Sequence, residues 1–340
     1  MIQARNLVKR FGPTVAVDDV SFDVNAGEVL GFLGPNGAGK STTMRMITGF
    51  LPPSAGTVVV NGHDIVDDPI AAKSAIGYLP ENAPGYPEMT VLGFLRFVAE
   101  LHGMRGAERD KAVDRVVEMC FLKGVLCKPI DTLSKGYRHR TCLAQSLIAD
   151  PPVLVLDEPT DGLDPNQKHE VRQLIHRMGA QKAIIISTHI LEEVDAACSR
   201  IIIIDKGKLV FNGQPEELRS RSRLAGAVTV SVREAARDRV EAILGGVEGA
   251  GEVRVESSDD RRARFTVLQN GGASRGPLAV SVADALRDNG LVFDELHTER
   301  GRLDEVFRAI TVSETAGEPD GARAPAATQA TDEEGKEIAA

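Results

Sequence analysis

The chain has 340 residues, of which 42% are hydrophobic and 26% are charged, and its formal net charge is -9. This length exceeds the usual size of one domain and favours two domains or one domain with an appendage. The negative charge and the 4% content of aromatic residues disfavour a nucleic acid partner, because phosphates attract cations and unpaired bases stack on rings. Apolar runs as short as Ile201–Ile204 cannot cross a bilayer, and Met1–Arg5 lacks the features of a signal peptide. A cytoplasmic location is therefore expected.

Residues 1–215 alternate short β-rich runs with helical patterns, which predicts an α/β domain with a largely parallel sheet. Three continuously apolar runs are typical of strands that are covered on both faces. These runs are Val29–Leu33, Val153–Leu156 and Ala183–Ser187. From about 88 to 150, helical apolar spacing predicts a helical subdomain. The apolar positions that define it are Leu92, Leu95, Val98, Leu101, Val113, Val116 and Val117.

The pattern changes after Pro215, and from 222 to 312 it indicates strand, helix, strand, strand, helix, strand and helix. This order predicts a small C-terminal α+β domain of the ferredoxin-like kind. Leu303, Val306 and Phe307 are interpreted as core contacts of a last amphipathic helix. Residues 313–340 are rich in Ala, Pro, Gly, Thr and acidic residues, a composition that predicts a disordered acidic tail.

A glycine-rich segment follows the first buried run and precedes a helical one. It reads Gly34, Pro35, Asn36, Gly37, Ala38, Gly39, Lys40, Ser41, Thr42. Its first eight residues fit the phosphate loop of P-loop NTPases, in which backbone N–H groups surround phosphates at the start of a helix. Lys40 is expected to reach the β- and γ-phosphate oxygens of ATP, and the Ser41 hydroxyl to ligate Mg²⁺. An accidental glycine-rich turn is disfavoured by the flanking strand and helix.

Two carboxylates, Asp157 and Glu158, stand at the end of the second buried run. Asp157 is expected to hold Mg²⁺, as strand-end acids do in phosphate-loop enzymes. Glu158 is placed to accept a proton from the attacking water. The alternative is that these two residues form only a turn with no catalytic role. The phosphate loop elsewhere in the chain disfavours it.

Four segments occur in the order GPNGAGKST (Gly34–Thr42), LSKGYRHR (Leu133–Arg140), LVLDEPTDGLDP (Leu154–Pro165) and ISTHILEEV (Ile186–Val194). Together they resemble the nucleotide-binding subunit of ABC transporters, and the signature segment with Ser134 and Gly136 is the decisive one. The resemblance covers residues 1–213. It implies a head-to-tail homodimer in the ATP-bound state, with ATP between the phosphate loop of one protomer and the signature of the other. It also implies separate transmembrane permease subunits at the inner face of the plasma membrane.

The same resemblance implies roles for three more residues. Phe11 would stack on adenine, Asp164 would lie in the loop that links the two ATP sites, and His189 would contact the γ-phosphate. A core position is an equally good interpretation for Phe11. For His189 the alternative is a histidine without a role in catalysis, which the Ser-Thr-His context disfavours.

Two departures from the family pattern are present. Glu81 replaces the usual glutamine after the segment Ile76–Pro80, and the signature reads Leu-Ser-Lys-Gly-Tyr. Both departures are similar to the pattern of the branch that serves ABC-2-type exporters. Within that branch, a glutamate at this position resembles the pattern of subunits linked to gliding motility and to copper-enzyme maturation. Glu81 offers a hard oxygen to Mg²⁺, but its charge conflicts with the usual role of a neutral amide.

The sequence thus predicts the ATP-hydrolysing subunit of an ABC exporter. A soluble ABC-type ATPase that acts on ribosomes or nucleic acid is the main alternative. It is disfavoured because such proteins usually carry two such domains or a long coiled-coil insert. A module that only senses ATP is disfavoured by Glu158 and His189.

Overall fold

The computed structural model describes residues 1–82, 85–233, 237–258, 262–270 and 277–312, so the predicted tail at 313–340 lies outside the described residues. In chain order the strands are β1 (Ile2–Phe11), β2 (Thr14–Val24), β3 (Glu28–Leu33), β4 (Ala55–Val60), β5 (His63–Asp64), β6 (Ile76–Leu79), β7 (Val153–Asp157), β8 (Ala183–Thr188), β9 (Arg200–Asp205), β10 (Lys208–Gly213), β11 (Ala225–Val232), β12 (Ala250–Ser258), β13 (Ala263–Gln269) and β14 (Phe293–Arg300). The helices are α1 (Lys40–Ile47), α2 (Pro69–Ser74), α3 (Val91–Leu101), α4 (Gly106–Met119), α5 (Lys135–Leu147), α6 (Pro165–Gly179), α7 (Leu191–Ala197), α8 (Pro215–Ser220), α9 (Arg237–Gly245), α10 (Leu278–Asp288) and α11 (Leu303–Val312).

The central sheet of the first domain has the strand order β10-β9-β3-β8-β7-β6. The strands from β9 to β6 run parallel, and β10 pairs antiparallel at the edge. Every residue of β7 and β8 is buried, as continuous apolar runs require in a sheet that is covered on both faces. The three strands predicted from those runs are confirmed, and they are neighbours in the order β3-β8-β7.

A second, antiparallel sheet with the order β2-β1-β4-β5 covers helix α1. One hydrophobic cluster contains residues of this sheet, of α1 and of the central sheet. Within it the rings of Phe22 and Phe32 lie 5.6 Å apart between centroids. Helix α1 is therefore buried between the two sheets, which fixes the position of the phosphate loop at its start.

Helices α3, α4 and α5 lie within the range predicted to be helical and share a core with the other face of the central sheet. Leu95, Val98 and the three predicted valines of α4 are buried there. Leu101 lies in α3, as its spacing predicts, but it is 70% exposed. Leu101 is the last residue of α3.

The C-terminal α+β domain has the antiparallel strand order β12-β13-β11-β14, with α9 and α10 packed on one face. The chain order of its strands and helices is the split βαβ order predicted from the sequence. Val228, Val230, Val232, Phe265 and Val267 are all buried in its core. Alternating apolar positions therefore identified the covered face of this sheet.

Helix α11 supplies core contacts, as predicted from its apolar positions. Leu303 and Val306 are buried, and the core that they join contains Leu33, Val194 and Ile201 of the first domain. Phe307 is partly buried against the same cluster. The last helix of the C-terminal domain thus shares a hydrophobic core with the domain that carries the phosphate loop.

Phe265→Ala is expected to lower the free energy of unfolding of the C-terminal domain by about 3–5 kcal/mol, because it leaves a cavity in a closed core. Phe265 pairs with Val230 and Val255 on its two neighbouring strands. Hydrogen–deuterium exchange of β11 and β13 in a urea series measures the change. Val292→Ala, at a position that is 61% exposed, is the control and should cost less than about 0.5 kcal/mol. Equal losses in the two variants would contradict the burial of Phe265 in that core.

Candidate functional site

The phosphate loop joins the end of β3 to the start of α1, and two of its glycines admit no side chain. A Cβ at Gly34 would lie 2.3 Å from the carbonyl oxygen of Ile204, and one at Gly39 would lie 2.5 Å from that of Ala16. Gly39 also has a φ of +106°, which other residues rarely adopt. These contacts explain why glycine stands at both ends of the loop.

Lys40 is the first residue of α1, and its side chain folds back over the loop. Its Nζ donates to the carbonyl oxygens of Gly34 at 2.7 Å and Pro35 at 3.1 Å. Burial lowers the pKa of Lys40, while the charges of Glu158, Asp157 and Glu81 act in the opposite direction. The ammonium therefore lies among three carboxylates and the loop carbonyls, where an anionic ligand can replace the carbonyls as its partner.

Asp157 and Glu158 stand at the end of β7, beside the end of β8. Asp157 is 2% exposed, and its Oδ1 accepts a hydrogen bond from the Ser187 hydroxyl. Glu158 has a φ of +51°, a strained conformation for a non-glycine residue, and its N–H donates to the carbonyl of Ser187 at 3.0 Å. Burial raises the pKa of Glu158, although a hydrogen bond from His189 opposes the shift. Nδ1 of His189 lies 2.9 Å from Oε1 of Glu158.

Lys40, Asp157 and Glu158 face a cavity of about 240 Å³. The residues that line it are Ala16, Asn36, Gly37, Gly39, Lys40, Ser41, Thr42, Glu81, Asp157 and Glu158. The cavity thus brings together six of the nine predicted phosphate-loop residues, the predicted base and the three predicted Mg²⁺ ligands, whereas Gly34, Pro35, Ala38 and His189 are not part of its lining.

The donor set in this cavity fits Mg²⁺, which prefers hard oxygen ligands and keeps several waters. Ser41 offers a hydroxyl, and Asp157 and Glu81 offer carboxylates. Within the described parts of the chain, no group of three or more His, Cys, Asp or Glu side chains is arranged to hold a metal. Mg²⁺ bound here would complete its shell with water and phosphate oxygens.

Four more predicted residues also lie outside this lining. Phe11 is 50% exposed, so its interpretation as a core residue is wrong. Ser134 caps α5 by accepting from the N–H of Tyr137 at 3.4 Å, and Gly136 is buried in the first turn of that helix. Asp164 caps α6 by accepting from the N–H of Gln167 at 2.9 Å.

Sequence reasoning missed two polar residues that support the site. Ser187 holds Asp157, and its place in the Ser-Thr-His segment next to His189 was an available signal. Glu193 is 6% exposed and accepts hydrogen bonds from Thr160 and Thr188. In the sequence, Glu193 is an acid in a short helix, and nothing there distinguishes it from an exposed one.

Comparison with known proteins gives the family. Residues 17–161 match the family model described as ABC transporter. The chain is 35% identical over 219 residues to the Nod factor export ATP-binding protein I of Cupriavidus metallidurans, a match that covers 64% of this chain and 72% of that protein. The chain belongs to the ABC transporter ATP-binding family.

Further relatives of this ABC protein agree with that assignment. It is 37% identical over 223 residues to the probable multidrug ABC transporter ATP-binding protein YbhF of Escherichia coli. That match covers 65% of this chain and 38% of YbhF, so the chain spans well under half the length of this relative. A solved dimeric structure of a bacterial ABC transporter cassette aligns with a TM-score of 0.59 and 25% identity, over 63% of this chain and 98% of that one.

Gly34→Ala in this ABC protein is expected to weaken binding of a non-hydrolysable ATP analogue by about tenfold or more, because the new methyl group displaces the loop from the Ile204 carbonyl. Isothermal titration calorimetry measures the change. Gly124→Ala is the matched control, since a Cβ there meets nothing within 4 Å. An unchanged affinity in the Gly34 variant would show that the loop does not bind the nucleotide.

Proposed function

We propose that the chain binds and hydrolyses Mg-ATP as the motor subunit of an ABC exporter. The observation that carries the proposal is the single cavity that holds Lys40, Asp157 and Glu158. A cation, a strand-end carboxylate and a partly buried base are the groups that phosphoryl transfer to water requires. Membership of the ABC transporter ATP-binding family supports the same conclusion.

Each group in the cavity has a defined task in this proposal. Lys40 exchanges its two loop carbonyls for the phosphate oxygens of ATP. Glu158 accepts the proton of the attacking water, and its raised pKa makes its carboxylate a better proton acceptor. His189 holds Glu158 on one side and extends toward the γ-phosphate. Bound Mg²⁺ would supply positive charge to the phosphates, with Ser41, Asp157 and Glu81 as its protein ligands.

The ATP-bound form is proposed to be a head-to-tail homodimer, in which Ser134 and Gly136 of one protomer meet ATP held by the other. Neither residue lines the phosphate-loop cavity of its own protomer, within the residues that the structure describes. Both lie at the start of α5, where backbone N–H groups favour an anion. The dimeric form of the solved cassette supports this arrangement. Phe11, exposed on β1, is proposed to stack on adenine, and Asp164 to contact the partner's site.

Transport itself is proposed to occur through separate transmembrane permease subunits. Among the described residues, no helix has the length and apolar character to span a bilayer. The proposed location is the cytoplasmic, inner face of the plasma membrane. The direction is export, because the relatives bear names such as Nod factor export and linearmycin resistance. The narrower assignment to the gliding-motility or copper-maturation branch stays a prediction from Glu81.

The alternative of a permease-free ATPase on ribosomes or nucleic acid makes a different biochemical prediction. Affinity purification of the chain from detergent-solubilised membranes should yield an integral membrane protein at a fixed ratio. Copurification of ribosomes or DNA in place of that protein would favour the alternative.

Glu158→Gln is expected to slow ATP hydrolysis about 10²–10⁴-fold, because the amide keeps the shape of the side chain but cannot accept the proton. ATP binding should remain, and a stable ATP-bound dimer should accumulate. Phosphate release and light scattering with Mg-ATP measure the two effects. Turnover within a few-fold of the wild-type rate would overturn the assignment of Glu158 as the base.

Mixing Ser134→Arg protomers with Lys40→Ala protomers should restore part of the ATPase activity. Each variant alone is expected to be inactive, because Ser134 completes a site whose Lys40 belongs to the other protomer. The mixed dimer places both changes in one composite site and leaves the second intact. ATP affinity and mass are measured in parallel, so that a failure to dimerise is seen directly. Mixed dimers that bind ATP and show no activity above the separate variants would count against the shared site.

A further inference from the structure

Glu193 is a buried carboxylate outside the phosphate-loop cavity, and both of its oxygens accept hydrogen bonds. Oε1 accepts from the Thr160 hydroxyl and from Nζ of Lys168 at 3.3 Å. Oε2 accepts from the Thr188 hydroxyl at 3.1 Å. With 6% of its surface exposed, this side chain depends on these donors, because a buried carboxylate without partners is strongly destabilising.

The three donors belong to three segments that carry predicted site residues. Thr160 lies two positions after Glu158, and Thr188 immediately precedes His189. Lys168 lies in the first turn of α6, the helix that Asp164 caps. One side chain of α7 therefore connects the segments that hold the base, the histidine and the dimer loop.

The turn that carries His189 is held on both sides by this network. The Thr188 hydroxyl donates to Glu193 and also accepts from the N–H of Ile190 at 3.1 Å. The N–H of Glu193 donates to the carbonyl of Ile190 at 3.2 Å. The His189 side chain itself is 59% exposed, so packing contributes little to its position. Its orientation toward Glu158 depends on the backbone on either side of it.

We infer that Glu193 is the positioning residue that holds the His189 turn against Glu158, and that it contributes to hydrolysis through His189. This inference rests on the proposed function. Glu193 does not touch the cavity where the nucleotide is proposed to bind. Its removal should therefore lower kcat and leave the KM for Mg-ATP within about threefold, since ground-state binding is untouched.

A double-mutant cycle with His189 separates this role from a general contribution to folding. Glu193→Gln keeps the size of the side chain and one acceptor oxygen, and should lower kcat about tenfold. In a His189→Ala background, measured in single turnovers, the same change should cost less than about twofold, because the residue through which it acts is gone. Asp195→Asn is the matched control. Asp195 is an acid on the same helix that pairs with Arg219 instead, and its change should leave kcat within about twofold.

Thr188→Val provides a second variant that keeps the volume of the side chain and removes the link between Glu193 and Ile190. It should reproduce the loss of kcat, and it should also lose its effect in the His189→Ala background. Equal fold losses from Glu193→Gln in the two backgrounds would overturn the inference, as would a wild-type kcat in both the Glu193→Gln and the Thr188→Val variants. An absence of ATPase activity in the wild-type protein would instead refute the proposed function, so the two failures are distinguishable.

Discussion

The parallel register of β3, β8 and β7 is the constraint on which the site depends. Leu33 pairs with Thr188, and Asp157 pairs with Ser187, so the three strands end at nearly the same level. The chain leaves each strand at this edge, where ligands bind in open α/β sheets. The phosphate loop, the two carboxylates and the histidine come from distant parts of the sequence. They meet because backbone hydrogen bonds between the strands fix this register. Both faces of these strands are buried, which makes a shift of one residue costly.

The same constraint explains which parts of the molecule could be predicted. Continuous apolar runs and a glycine loop are local patterns, and each is sufficient to place a strand end or a helix start. Once Val153–Leu156 and Ala183–Ser187 are assigned as buried parallel strands, Asp157 and His189 follow at the shared edge. Alternation in the C-terminal strands likewise identifies a covered face. These predictions hold because the periodicity of a segment reports what it packs against.

What could not be predicted depends on partners that are distant in sequence. Leu101 continues the apolar spacing of α3 but is 70% exposed, which the spacing alone does not show. Leu303 and Val306 fit an amphipathic helix, and the sequence does not show which domain covers it. The exposure of Phe11 could not be predicted either, because an aromatic residue in a strand pattern is compatible with a core position and with a surface position. Glu193 is the extreme case, because only the fold reveals that an acid on a short helix is buried beneath two threonines and a lysine.

Helix α7 links the observations on the His189 turn with those on helix α11. Its consecutive residues Glu193 and Val194 have different surroundings. Glu193 lies among the polar groups next to the His189 turn. Val194 lies in the apolar core that contains Leu303 and Val306 of α11. Asp195 adds an ion pair to Arg219 of α8. A short helix has few hydrogen bonds of its own, so tertiary contacts of this kind determine where it lies. The helix that follows the His189 turn is therefore joined to the base segment through Glu193 and shares a core with the last helix of the C-terminal domain through Val194.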